Sequence, residues 1–177
     1  MEKNIKTASK GVRSMYERLE EIVFALVAAI LVFTFLFRVV TVTGKSMLPN
    51  FVEGEKVVVT NLGHDIEQGT VVVVTNVLEE PIIKRVIATE GQTVNIDYDT
   101  GTVYIDGEAL NETQFGIENG ITFHPYDGYE ALVFPQTVPK GCVFVLGDNR
   151  TVSRDSRYAE IGRAHVCTPV TSRSRMP

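Results

Sequence analysis

The sequence predicts a mainly β protein, an antiparallel β-sheet core with a smaller β-hairpin insertion, preceded by one N-terminal transmembrane helix. Three observations carry that expectation. Short runs rich in Val and Ile, bounded by Gly, Asn and Pro, recur between residues 56 and 146. Beyond the N-terminal segment no stretch sustains a helical period. One apolar run, 22–37, has Thr34 as its only polar member.

A chain of 177 residues has room for one compact domain and an appendage. With 44% apolar and 22% charged residues, it has the material for a real core. A net charge of −5, with no basic stripe outside the N-terminal segment, argues against nucleic-acid binding. Cys142 and Cys167 lack metal-ligand spacing, and Cys142, inside an apolar run, reads as a buried free thiol. His64, His124 and His165 lie far apart, so no metal is expected.

Taken in order, segment 1–21 carries Lys3, Lys6, Lys10, Arg13 and Arg18 and is expected in the cytoplasm. The run 22–37 makes a helix roughly 24 Å long, and extension to Val42 brings it to about 30 Å, with Arg38 snorkelling to the interface. This predicts a transmembrane helix over 22–42. A cleavable signal peptide is the alternative; the long basic region before the run and the absence of an Ala-x-Ala-like site stand against it. The expected localisation is the cell membrane, single-pass, with membrane lipid around the helix and everything from Thr43 outside.

The exterior domain is expected over 43–162. Strands are predicted at 56–60, 71–75, 82–88, 92–97, 102–105 and 108–110. Asp99-Thr100-Gly101 and Asp106-Gly107 supply the hairpin turns. A looser stretch follows at 111–129, then strands at 131–134 and 142–146, which sets the insertion at about 90–134.

Three places carry candidate chemistry. In Gly44-Lys45-Ser46-Met47-Leu48-Pro49 a serine sits on a tight, poorly helical backbone that exposes its hydroxyl and its own N–H. Alone, it also reads as a turn serine. Lys84 lies in the β-branched run Ile82-Ile83-Lys84-Arg85-Val86, on the side of Ile82 and Val86. There desolvation lowers an amine's pKa and makes it a general base; the alternative is an edge lysine with its head in water. The third place is 147–157, where eight of eleven residues are charged or hydrogen-bonding side chains other than threonine. Such density fits a polar network that fixes a nearby site.

Together these motifs, behind one anchor, resemble the bacterial type I signal peptidases, membrane-bound Ser/Lys endopeptidases, over about 20–162. G-K-S-M-L-P resembles the nucleophile box, K-R-V-I-A-T-E-G the lysine box and G-D-N-R-x-x-S-x-D-S-R the last box, and the single anchor resembles the Gram-positive form. The resemblance implies Ser46 as nucleophile, Lys84 as general base and Ser153 as the group that orients the lysine. It also implies ion pairs of Asp155 with Arg157 and of Asp148 with Arg150, with Asn149 and Arg85 supporting the site. The Ser46 backbone N–H would be one oxyanion donor. Some relatives carry a hydroxyl two residues before the nucleophile; that position is Gly44 here, so the second donor stays open. Met47 and Ile83 would line pockets for small side chains. The implied substrates are secretory preproteins cut at small-x-small sites, with no cofactor.

Two other readings share parts of the pattern. A LexA-like self-cleaving Ser/Lys protein is disfavoured by the anchor and by the lack of a DNA-binding N-terminal domain. A non-catalytic signal-peptidase-like pilus-assembly factor is expected to lack the serine–lysine pair that this chain retains at Ser46 and Lys84. The final segment departs from the family, which continues with a Val-Pro element and a further strand. Residues 163–177 show no hydrophobic period and resemble translated adapter sequence, so they are expected to be a non-native tail.

Overall fold

A computed structural model describes residues 2–60, 66–75, 80–125, 130–159, 161 and 171–174, without the side chains of 2–11, 35 and 171–174. His64, His165 and Cys167, considered above for metal binding, lie outside these residues. The chain divides into two compact units, Met1–Arg38 and Val39–Pro177.

The first unit is helix α1, Glu2–Leu36. Its surface carries an i,i+4 ion pair, Arg13 to Glu17 at 3.1 Å, and Thr34 returns its hydroxyl to the Ile30 carbonyl at 2.7 Å. Among the described residues no helix is long and apolar enough to cross a membrane. The expected extension to residue 42 does not occur, because Phe37–Thr41 is strand β1. Val39, Val40 and Thr41 are β-branched and favour the pleated backbone. Val40 and Val42 then pack into a core cluster of the second unit.

The second unit is built from two sheets. Strands β2 (Lys56–Thr60), β3 (Val71–Val74), β4 (Ile82–Thr89), β9 (Val143–Leu146) and β10 (Thr171–Ser174) join β1 in the order β1-β2-β10-β3-β4-β9. The smaller sheet, β7-β6-β5-β8, uses β5 (Thr93–Asp97), β6 (Thr102–Ile105), β7 (Glu108–Ala109) and β8 (Gln136–Thr137). A short 3₁₀ helix, Glu112–Phe115, follows β7. The chain is thus mainly β, with antiparallel sheets and one N-terminal helix; of the small sheet, β5, β6 and β7 lie between residues 90 and 134 and β8 lies beyond them. The β5–β6 turn is closed by Asp97, which accepts from the Asp99 N–H at 2.9 Å and the Thr100 hydroxyl at 2.8 Å.

Two sequence-based strands need correction. No strand forms at 131–134; Ala131 makes only an isolated bridge to Tyr158, and β8 begins at Gln136. Leu132 is buried and Val133 is 79% exposed, an alternation that finds no ladder beyond that bridge, and Pro135 lacks the N–H a ladder needs. Conversely, Thr171–Ser174 is not outside the fold. It pairs antiparallel with both β2 and β3, Ser172 lying opposite Thr60 on one side and Val72 on the other. Cys142 is buried as expected, but it is disulfide-bonded rather than a free thiol.

The main core lies between the sheets. Ile87 and Ala88 of β4 and Phe144 and Leu146 of β9 meet Val94, Ile96, Val103 and Ile105 of the small sheet. Phe144 is the large side chain of that seam, set edge-on to Phe134 with ring centroids 5.9 Å apart. Phe144→Ala is expected to destabilise the domain by about 3–5 kcal/mol. Denaturant unfolding should show this as a lower midpoint at unchanged slope.

Candidate active site

The loop between β1 and β2 carries Ser46. Gly44, at φ +82°, turns the chain into it, a conformation costly for any residue with a Cβ. The next residue, Met47, is 1% exposed and packs with Val42, Phe51, Val57, Val59 and Val73. This apolar plug pins the loop, while the Ser46 carbonyl accepts the Asn149 N–H at 3.0 Å. The Ser46 N–H has no partner among the described residues.

Lys84 comes from β4, where the ladder sets it opposite Val72 of β3. It is 3% exposed, and its ammonium nitrogen donates to Ser46 Oγ at 2.8 Å and to the Ile83 carbonyl at 3.0 Å. Burial pulls its pKa down to about 8, against the opposing fields of Asp155 and Asp148 and with help from Arg157. Beside the pair is a cavity of about 340 Å³ whose lining includes Met47, Ile83, Val73 and Thr43. A larger cavity of about 490 Å³, at Phe123, His124 and Arg150, contains neither Ser46 nor Lys84. Chemistry rather than volume marks the site.

Three buried ion pairs surround this pair. Asp155 and Arg157 meet as expected, with Nε–Oδ1 at 2.9 Å and Nη2–Oδ2 at 3.0 Å. Burial alone would raise the Asp155 carboxyl; Arg157 and the Gly147 N–H outweigh it and hold it below the ordinary carboxylate range. Asp148, however, does not pair with Arg150. Its carboxylate takes both ends of the Arg85 guanidinium, at 2.8 and 2.6 Å, and also the Asn50 amide at 2.8 Å. Arg150 pairs instead with Glu112 and donates to the Thr122 hydroxyl.

Ser153 is brought close to this group but is not bonded to Lys84. Its buried hydroxyl sits beside the Asp155 carboxylate and helps hold it below the ordinary range, but makes no well-aligned hydrogen bond among the described residues. Its backbone N–H donates to the Asn149 carbonyl at 3.0 Å. Gly147 explains the tight fit: a Cβ there would collide with the Ser153 side chain and stand 2.6 Å from the Ser46 carbonyl oxygen. Sequence reasoning missed Glu112, Thr122 and Asn50. Asn50 directly follows the G-K-S-M-L-P motif, but Glu112 and Thr122 lie in the irregular insertion with no local signal. Among the described residues no cluster of His, Cys, Asp and Glu is set to hold a metal.

Known proteins resemble this chain over most of its length. Residues 15–171 match the family described as signal peptidase, peptidase S26. The chain is 33% identical over 162 residues to signal peptidase I T of Bacillus subtilis (strain 168), covering 86% of this chain and 80% of that protein. It is 34% identical over 156 residues to signal peptidase IB of Staphylococcus aureus (strain Mu50), covering 80% of each. Signal peptidase I of Bacillus amyloliquefaciens is 32% identical over 160 residues, 88% of this chain and 80% of that one. By these matches the chain belongs to the type I signal peptidase family, peptidase S26, and is a hydrolase of the serine peptidase class.

Proposed function

We propose that this peptidase removes signal peptides from secretory preproteins with a Ser46–Lys84 dyad. The observation that carries the reading is the 2.8 Å contact between Lys84 Nζ and Ser46 Oγ, with the lysine buried and its pKa drawn down to about 8. Neutral Lys84 takes the Ser46 proton as Oγ attacks the scissile carbonyl carbon. The Ser46 N–H donates to the resulting oxyanion. Collapse breaks the C–N bond, and Lys84 returns its proton to the leaving amine, which leaves an ester on Ser46. Water then attacks that ester, giving a proton to Lys84, and the departing Ser46 Oγ recovers it.

Ser153 is assigned to orient the amine. Its buried hydroxyl, close to Asp155 and not bonded to Lys84, supports that role, and it would engage when Nζ turns from the Ile83 carbonyl. Asp148, Asn149, Arg150, Asp155, Arg157 and Arg85 hold the surrounding backbone. Met47 and Ile83 line the cavity next to the dyad, which we assign to the small side chains of a small-x-small, Ala-x-Ala-like site. The peptide would lie extended along the sheet, presenting alternate side chains.

We assign α1 as the membrane anchor, with residues 1–21 cytoplasmic and the domain outside. Support comes from side chains exposed on every face of the apolar run, including Ile22 at 64%, Phe24 at 67%, Leu26 at 61% and Phe33 at 64%. A helix apolar all round needs an apolar surrounding. Protease added outside intact cells should digest the β-domain and leave 1–21 protected; protection of the domain would reverse the orientation.

Ser46→Ala and Lys84→Ala should each lower kcat by about 10⁴-fold or more, with the double change no worse than either alone. In the native enzyme kcat/KM should rise with pH through about 8 and then stay high, as the base must be neutral. Appreciable turnover by Lys84→Ala at neutral pH would exclude the lysine as base.

The same shift predicts stability. The folded-state pKa of Lys84 is about 8 against 10.5 for the ordinary amine, so between these values the unfolded chain binds the extra proton. Stability from this group therefore rises from pH 8 to 10.5, and its full cost is present below pH 8. Lys84→Met should gain on the order of 3 kcal/mol at pH 7 and less at pH 10. Urea titrations at the two pH values measure the difference.

A further inference from the structure

The insertion supplies a buried carboxylate to which the dyad gives no role. Glu112 opens the 3₁₀ helix and is 1% exposed. Its backbone is fixed at both ends: its N–H donates to Asn119 Oδ1 at 2.7 Å, and its carbonyl accepts the Ile117 N–H at 3.3 Å. Its carboxylate pairs with Arg150, and both side chains are 1% exposed. Among the described residues the Arg150 Nη2 makes no hydrogen bond, and the guanidinium is held through Nε and Nη1.

What Arg150 does with Nε matters to the chemistry. It donates to the Gly147 carbonyl at 2.9 Å, while the Gly147 N–H donates to Asp155 at 3.1 Å. One residue thus has both its backbone polar groups held by buried ion-pair members of opposite sign. That residue packs its α-carbon against the Ser46 carbonyl, too closely for a side chain to intervene. Any shift of Gly147 moves the Ser46 loop relative to Lys84, whose own position is set by the β-ladder.

We propose that Glu112 is a positioning residue for the peptidase reaction, acting through Arg150 and Gly147 to hold Ser46 in reach of Lys84. The proposal rests on the Ser46–Lys84 reading. An arginine this deeply buried needs a counter-charge, and without it the guanidinium would pull toward water or its cavity. The carboxylate comes from the insertion, not from any of the three motif segments, which ties the small sheet's loop to the rate of the reaction.

The test is Glu112→Gln in the full chain, with kcat, KM and melting temperature measured on a peptide bearing an Ala-x-Ala site. The expected result is a fall in kcat per folded molecule of about 10- to 100-fold at unchanged KM, the signature of a misplaced nucleophile. A lower melting temperature with unchanged kcat per folded molecule would show a merely structural ion pair and overturn the proposal. Should Glu112→Gln fail to fold, Thr122→Val decides. It removes the second acceptor of Arg150 Nη1 while keeping the charge pair. It should lower kcat on the order of fivefold, and an unchanged kcat overturns the proposal. Ser46→Ala is assayed alongside. If that variant is inactive while Glu112→Gln keeps full kcat, the positioning role alone falls; if it is active, the dyad reading falls and the proposal with it.

Discussion

Everything at the site depends on charge balance in a place with little water. Arg85, Arg150 and Arg157 are each buried, and each has a carboxylate of its own, Asp148, Glu112 and Asp155. Desolvating a guanidinium without a partner is strongly unfavourable, so the three pairs stand or fall as pairs. Their sum is neutral, and Lys84 has no carboxylate within ion-pair distance among the described residues. The fields of Asp155 and Asp148 reach it and oppose burial, but burial wins and the amine sits near pH 8. A carboxylate in direct contact would have fixed it as an ammonium. With each arginine paired to its own carboxylate, none of these carboxylates contacts the lysine, and its pKa stays near 8.

The same pairs also fix positions. Asp155 and Arg150 grip the two sides of Gly147, Arg157 reaches the Arg150 carbonyl at 2.8 Å, and Asn149 holds the Ser46 carbonyl. The segment after β9 is thus a floor under the Ser46 loop, and Met47 anchors that loop in an apolar cluster. Ser46 is located by two independent supports, one polar and one apolar. Lys84 is located by a third, the β3–β4 ladder, so the 2.8 Å contact is a meeting of parts that do not share a local sequence.

How much of this the sequence carried follows from the range of each interaction. Most strand runs, the turn around Ser46 and the lysine within β-branched neighbours are local patterns and read directly, while the Asp155–Arg157 pair follows from the family resemblance. The resemblance implies a pair of Asp148 with Arg150, two residues away, whereas Asp148 pairs with Arg85, 63 residues away. That choice is made by the β4–β9 register, which sets Arg85 opposite Leu146, two residues before Asp148. Register is a tertiary fact, and short-range charge spacing cannot anticipate it. The helix end was misplaced for a related reason. Hydropathy does not distinguish apolar β-branched residues that continue a helix from those that open a strand, and packing of Val40 and Val42 decided for the strand.

Strand β10 and Glu112 were missed on a further ground: neither needs the side-chain pattern that sequence reading seeks. Thr171–Ser174 occupies a place between β2 and β3 by backbone pairing, with Ser172 opposite both Thr60 and Val72. A ladder is satisfied by N–H and C=O groups whatever the side chains, so a polar segment qualifies where an apolar period was awaited. Glu112 stands in an irregular loop as one acid among many, and only the fold shows that its carboxylate is 1% exposed and faces Arg150. The insertion therefore belongs to the site in an electrostatic sense. It carries the charge that neutralises Arg150, and with that charge removed, the floor beneath Ser46 would contain a buried cation with no counter-ion. A hairpin domain that looks peripheral in topology is in this way part of the charge balance beneath Ser46.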